Sequence, residues 1–380
     1  MFLWNLSSEW TREKEMFDKK AKGDYMLAVV GYKPQDYRLE KVPVPKAGPE
    51  EVIIRVKRVG ICASDLKCYQ GADRFWKGPP APYVKPPFIP GHEFIGEVVE
   101  LGPGAAKKYG LKIGDKAISE QILPCWNCRF CLRGEYWMCE TNYVYGFHGG
   151  IDDGAMAEYM KFPRGAINYK VPEDLPDEAG VMIEPLACAI HAVQRANIEL
   201  GDVVVIAGAG AIGLCMLQVA KLKNPGKLIM LDAKEKRLKV AQELGADVVI
   251  NVAKEDAVAK VKDLSGGYGC DVYIEASGYP QAVKQGLEMI RKLGAYVEFG
   301  VFNQETPVDW SVIGDQKELN IRGAHLGPYC YPLAIDYLKR GLVKVDKIVT
   351  HVFPLREYKK AMKIASEGQD SIKVTLAPGG

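Results

Sequence analysis

Val203-Val-Val-Ile-Ala207 runs without a break into Gly208-Ala-Gly-Ala-Ile-Gly213, and the apolar periodicity then changes from strand-like to helical through Lys223. Few local patterns constrain a chain more. A five-residue apolar run is a strand buried on both faces, and a helix following directly from its end must cross back over the sheet. The next 90 residues repeat the alternation: Leu228–Leu231, a helix over Lys234–Leu244, Asp247–Ile250, Asp271–Ile274 and Ala295–Phe299. Strands separated by helices of this length imply a parallel sheet with right-handed crossovers, doubly wound. Within the turn, Gly208 permits the tight bend, Gly210 lets backbone approach a pyrophosphate, and Gly213 lets helix and strand pack closely. Ile212 opens the helix whose free N–H groups face the phosphates. Asp232 ends the second strand, where a carboxylate accepts from the adenosine ribose hydroxyls and repels a 2′-phosphate. NAD is therefore expected over NADP, with Lys236 and Arg237 close enough to soften the preference. A helix N-cap is the rival role for Asp232.

The flanking sequence is built differently. From Tyr25 to about Ala117 it reads as short strands and turns, with Val52–Val56 a strand and a loop rich in Pro, Gly and aromatics over Gln70–Pro90. A loop that long inside a compact domain is functional or mobile. After His325 the pattern becomes mixed again, so the tail is expected to return to the first domain. The resulting division is an N-terminal arm at 1–24, a mostly β domain at 25–185, the doubly wound domain at 186–325, and a return at 326–380.

Cys125-x-x-Cys128-x-x-Cys131-x7-Cys139 is the most specific chemical signal. Four thiolates on a looping backbone can close the tetrahedral sphere of one zinc, leaving no corner for substrate. An iron–sulfur cluster or a pair of disulfides are the rivals. The neighbours Trp126, Arg129, Arg133 and Glu135 give no sign of an electron-transfer module. The lobe, about 120–142, is expected to be structural.

Three separated fragments suggest a second, open site: Gly60-Ile-Cys62-Ala-Ser64-Asp65, Gly91-His92-Glu93, and Glu184-Pro-Leu-Ala187. Cys62 offers a thiolate and His92 an imidazole; Glu93 or Glu184, or each in turn, offers a carboxylate. Three protein ligands and an exchangeable position make a catalytic zinc. His92 and Glu93 are adjacent, so they can share an ion only where the backbone bends, and Pro90-Gly91 provides a bend. Ser64 is placed to carry a proton from a zinc-bound hydroxyl, and Asp65 to orient a ligand or fix the turn.

Composition excludes several other classes. Lys and Arg number 50 against 48 Asp and Glu, and no basic stripe stands out, so nucleic acid and acidic membranes are not expected partners. No apolar run approaches the roughly 20 residues of a membrane span. Met1–Lys22 mixes aromatics with charges, which is not a secretory signal. Bunched cysteines point to a reducing compartment, and the cytoplasm is expected.

Taken together, Gly91-His-Glu-Phe-Ile-Gly-Glu-Val98, the four cysteines, Glu184-Pro-Leu-Ala187, the glycine turn and Ile321-Arg-Gly-Ala324 resemble the zinc-containing medium-chain dehydrogenase/reductase family, in its branch of polyol and L-threonine dehydrogenases. The resemblance covers Tyr25 to the C-terminus. It implies an α/β chain with a GroES-like, mostly β catalytic domain and a Rossmann cofactor domain. It also implies two Zn2+ per chain, with the catalytic one at Cys62, His92 and Glu93 and with Glu184 at or near it. NAD contacts would fall on Ile212, Asp232, Arg237, Phe299, Gly300, Val301 and the backbone near Ala324 and His325. Assembly into dimers or tetramers is implied too. The expected substrate is a small alcohol or polyol, a tetritol such as erythritol or L-threitol being favoured. L-Threonine oxidation at carbon 3 is the enzymatic alternative, and a non-enzymatic dinucleotide-binding structural protein the other. Two positions depart from the family pattern. Ala63 follows the ligand cysteine where Gly is common, and Lys67 stands where many relatives carry a histidine that passes the proton to solvent.

Overall fold

The computed structural model describes residues 25–78 and 82–379. The N-terminal arm expected at 1–24 lies outside the described residues.

The chain opens with a hairpin, β1 (Tyr25–Lys33) and β2 (Asp36–Pro43), followed by β3 (Val52–Gly60). Two helices then interrupt the strands, α1 (Ala63–Gln70) and the one-turn α2 (Asp73–Trp76). Strands β4 (Glu93–Leu101), β5 (Lys116–Ser119), β6 (Tyr159–Phe162) and β7 (Asn168–Val171) continue the domain, and α3 (Ile183–Ala196) leaves it. The second sheet comprises β8 (Val203–Ala207), β9 (Lys227–Asp232), β10 (Val248–Asn251), β11 (Cys270–Glu275), β12 (Ile290–Glu298) and β13 (Asn320–Gly323). Between them run α4 (Ala211–Lys221), α5 (Glu235–Glu243), α6 (Ala257–Leu264) and α7 (Pro280–Met289). The tail supplies α8 (Tyr331–Lys339), β14 (Val349–Pro354), α9 (Tyr358–Glu367) and β15 (Lys373–Ala377).

The cofactor sheet has the order β10-β9-β8-β11-β12-β13, every pair parallel. That order reverses at β8, and a crevice opens there outside the carboxyl ends of the strands. Val204, Val205 and Ile206 are fully buried because helices cover both faces. β12 starts earlier than the Ala295 expected from periodicity. It follows α7 directly, and its register against β11 shifts between Cys270 and Val272.

The first sheet has the order β14-β15-β3-β4-β5-β7, with β6 also on β3. The tail reaches it through Thr375↔Gly60 and Leu376↔Val59. This pairing brings Lys373 of β15 beside the start of β4. One apolar cluster runs continuously from Val29 and Val56 of the first sheet through Leu186 of α3 to Ile206 and Ile274 of the second. No helix among the described residues is long and apolar enough to cross a membrane.

Candidate active site

β3 ends opposite the start of β4, with Gly60 paired to Glu93. A Cβ on Gly60 would sit 2.2 Å from Glu93 Oε2, so only glycine leaves room for that carboxylate. Two residues later Cys62 caps α1, and its N–H donates to Asp65 Oδ2 at 2.9 Å. Across the pairing, Gly91 has φ +102° and makes the bend that presents His92 and Glu93 together. The ligating atoms of Cys62, His92 and Glu93 lie within 4.8 Å of one another.

The electrostatics of this cluster suit a cation. Burial opposes charge on the His92 ring, yet Asp65, Cys62 and Glu184 around it outweigh burial and hold its pKa well above the usual value. His92 Nδ1 and Asp65 Oδ1 are buried without a hydrogen-bond partner and stand 3.6 Å apart. His92 Nε2 faces Ser64 Oγ at 3.5 Å. A metal on Nε2 would leave Nδ1–H for Asp65, the carboxylate–histidine arrangement that fixes a ligand ring.

The two carboxylates occupy different sides. Glu93 is fully buried and gripped by Lys373 Nζ, which donates to Oε1 at 2.8 Å and Oε2 at 2.5 Å. Burial disfavours the lysine charge, but Glu93 and Cys62 more than compensate and raise its pKa. Glu184 instead lines a cavity of about 510 Å3 together with Cys62, Ser64 and His92. Its Oε1 accepts from Gln121 Nε2 at 2.7 Å, and Gln121 Oε1 in turn accepts from Tyr331 at 2.7 Å. Burial, and then Glu93, push Glu184 up to about 7. Lys373, Gln121 and Tyr331 were not singled out by sequence. The one available signal was Lys373, a lone charge heading a strand of otherwise buried residues.

The opposite wall of the same cavity is cofactor-domain backbone and side chains: Ile212, Ala276, Ser277, Phe299, Gly300, Val301, Ala324 and His325. Behind it the glycine turn has the expected construction. Gly208 takes φ +107°, and a Cβ on Gly213 would meet Gly208 O at 1.8 Å. Gly210 caps α4 with extended backbone. Asp232 is not a helix cap, since Lys234 caps α5. Its carboxylate accepts from Ala209 N and Lys234 N, both at 2.8 Å, and so ties the turn to the end of β9. Arg237 leans on Ser371 O at 3.2 Å, and its Nη1 lies 4.0 Å from where a Gly210 Cβ would be. Lys236 pairs with Asp370.

From α1, Lys67 crosses the cleft and donates to Val301 O at 2.5 Å, and burial lowers its pKa. Of the aromatics in the long insert, Phe75 and Tyr83 line the cavity, with Phe147 stacked on Phe75 at 5.3 Å. Tyr69 and Trp76 do not. Tyr69 packs edge-on to Tyr37, and Trp76 donates to Cys68 O at 2.8 Å. The one-turn α2 turns Phe75 inward and leaves Arg74 exposed at the cavity's edge. His148 is held by Asp152 at 2.8 Å, a structural pair.

The four lobe cysteines also converge within 4.8 Å of one another. Cys125–Cys131 and Cys128–Cys139 sulfurs are 4.0 Å apart, and all four are free thiols. A zinc tetrahedron with bonds of about 2.3 Å has sulfur–sulfur edges of about 3.8 Å, so the spacing fits the ion and rules out disulfides. Burial raises the Cys139 pKa, but the Cys125 N–H and the Thr141 side chain and backbone bring it down to about 6. A thiolate is thus available to ligate.

Comparison with known proteins gives a consistent picture. Residues 48–173 match the alcohol dehydrogenase GroES-like domain, and residues 211–340 match the zinc-binding dehydrogenase family. The chain is 51% identical over 354 residues to an erythritol/L-threitol dehydrogenase of Mycolicibacterium smegmatis, covering 93% of this chain and 98% of that one. It is 35% identical to the L-threonine 3-dehydrogenase of Pyrococcus furiosus, covering 90% and 96%. An alcohol dehydrogenase of Escherichia coli CFT073, solved with NADH, superposes with TM-score 0.83 at 29% identity, covering 93% of this chain and 100% of that one.

Proposed function

The chain belongs to the zinc-binding medium-chain dehydrogenases with a GroES-like catalytic domain, and from that premise we propose that it oxidises a secondary hydroxyl of a small polyol to the ketose, with NAD as acceptor. A tetritol such as erythritol or L-threitol is the favoured substrate, in keeping with the 51% identical relative. The observation that carries the reading is the shared cavity. Cys62, Ser64, His92 and Glu184 line one side, and Ile212, Phe299, Gly300, Val301 and Ala324 the other.

Cys62 and His92 would hold the catalytic zinc with Glu93 or Glu184, and Cys125, Cys128, Cys131 and Cys139 the structural one. When bound, zinc supplies a Lewis acid that acidifies a hydroxyl, and NAD supplies the acceptor for the hydride. The chain's own residues do the rest. Gly208, Gly210 and Gly213 shape the pyrophosphate turn, and Asp232 and Arg237 flank the ribose end. Ser64 accepts the substrate proton at Oγ and hands it outward along the face of α1 that also carries Lys67. Asp65 orients His92, and Gln121 orients Glu184. Phe75, Tyr83 and Phe147 exclude water from the reacting carbon. Arg74 and Asn142, on the same cavity wall, donate to hydroxyls away from the reacting one.

Boundaries at 25–185, 186–325 and 326–380 fit this division of labour, with α3 spanning the first junction. A homodimer or homotetramer in the cytoplasm is the matching setting. NAD reduction across tetritols, pentitols, hexitols, simple secondary alcohols and threonine tests the reading. Tetritols should give the highest kcat/KM; threonine ahead of them would overturn the substrate class.

A further inference from the structure

β11 and β12 end side by side with two glutamates in register, Glu275 and Glu298. Glu275 is fully buried, and its carboxylate organises the loop after β11. Oε1 accepts from Ser277 N at 2.8 Å and from the Ser277 hydroxyl, and both oxygens accept from Gly278 N at 3.1 Å. The loop after β12 is fastened to the same residue. Phe299 N and Gly300 N donate to Glu275 O at 3.1 Å, and a Cβ on Gly300 would meet Glu275 Oε2 at 1.9 Å. The two loops also touch directly, since a Cβ on Gly278 would lie 2.7 Å from Val301 O. Ser277, Phe299, Gly300 and Val301 all line the cavity.

Glu298 adds a difficulty. Its side chain stands in register with Glu275 on the neighbouring strand, and Tyr296 donates to its Oε2 at 3.4 Å, but Oε1 is buried with no partner. Two ionised carboxylates side by side cannot satisfy that oxygen, because neither has a hydrogen to give. One proton supplies the missing donor. We propose that Glu275 and Glu298 share a single proton and act as a positioning pair, holding the 276–278 and 299–301 loops at the nicotinamide end of the cofactor site. Cofactor affinity then depends on that proton. The part concerning cofactor rests on the dehydrogenase reading; the shared proton does not.

The surroundings agree. Burial, and then the Glu275 carboxylate, push Glu298 up to about 8. The other titratable groups acting on the pair are Tyr273 and Tyr296 from its own sheet and Lys67 from α1 across the cleft. The sign follows from the raised value. The protonated acid is favoured in the fold, so its stabilisation is complete below the ordinary carboxylate range and is lost as pH rises through about 8.

The test compares wild type with E298Q, in which an amide keeps the shape and a permanent donor. NADH binding to the zinc-loaded enzyme is followed by fluorescence from pH 6.5 to 9.5, alongside thermal melting without NADH. Wild-type affinity should fall by about tenfold above pH 8, while E298Q should change by no more than about twofold. Wild-type melting temperature should fall relative to that of E298Q over the same range. Parallel melting profiles for the two proteins overturn the shared proton. Melting profiles that diverge while NADH affinities run parallel overturn the positioning role. Divergent melting with no NADH binding at any pH upholds the proton and overturns the dehydrogenase reading instead.

Discussion

The molecule gathers metal-ligating side chains in two places, and the two are built on opposite plans. The lobe draws four donors of one kind from 15 consecutive residues, Cys125 to Cys139. The cleft draws a thiolate, an imidazole and carboxylates from three distant fragments, and the charge of one carboxylate is balanced by a lysine 280 residues away. A closed sphere of identical donors can be written into one stretch of loop, because nothing else has to reach the ion. An open site must leave a corner facing the cofactor domain, so its donors come from separate elements: Cys62 capping α1, His92 and Glu93 at the head of β4, and Glu184 in α3.

Four substitutions break or sharpen this contrast. Cys62→Ala should lower kcat by on the order of a thousandfold or more, since several kcal/mol of charge stabilisation disappears. NADH binding should persist, and metal analysis should fall from two zincs to one. Full activity would sink the open-site assignment. Lys373→Met leaves Glu93 buried and unpaired, which costs about 3–5 kcal/mol. Denaturant melts should show that loss, with Lys373→Arg recovering most of it; an unchanged midpoint would mean that Glu93 is not committed to the lysine. Cys131→Ser should remove the other zinc and lower the melting temperature by roughly 5–10 °C, with turnover per folded molecule kept within about threefold. A collapse of turnover in the folded variant would erase the distinction between structural and chemical sites. Lys67→Met, the mildest, removes a hydrogen bond across the cleft and should weaken NADH binding by about fivefold. If affinity is unchanged, the Lys67–Val301 contact contributes nothing to closing the cleft.

The same contrast explains what could be read from sequence. The glycine turn, the four cysteines and Gly91-His92-Glu93 were legible because each is a local pattern with a local geometric reason. The parallel sheet followed from the alternation of buried strands and helices. Lys373, Gln121 and Tyr331 were not legible, because each acquires meaning only from a partner 63 to 280 residues away. Which aromatics of the long insert face the pocket was not legible either: Tyr69 and Trp76 pack, and Phe75 and Tyr83 line the cavity. A single helical turn decides which ring points inward, and a composition-rich insert carries no periodicity that could fix its phase.

The grip of Lys373 on Glu93 also imposes a timetable on synthesis. At about 5–20 residues per second, the ribosome needs on the order of 15–60 seconds to travel the 280 positions between them. In that time the strands and crossover helices of the nucleotide-binding half have all been translated. The glutamate must wait without its counter-ion until β15 arrives to complete the first sheet. Readiness for metal in the cleft therefore waits for β15, whereas the four-cysteine lobe is complete once Cys139 has been translated.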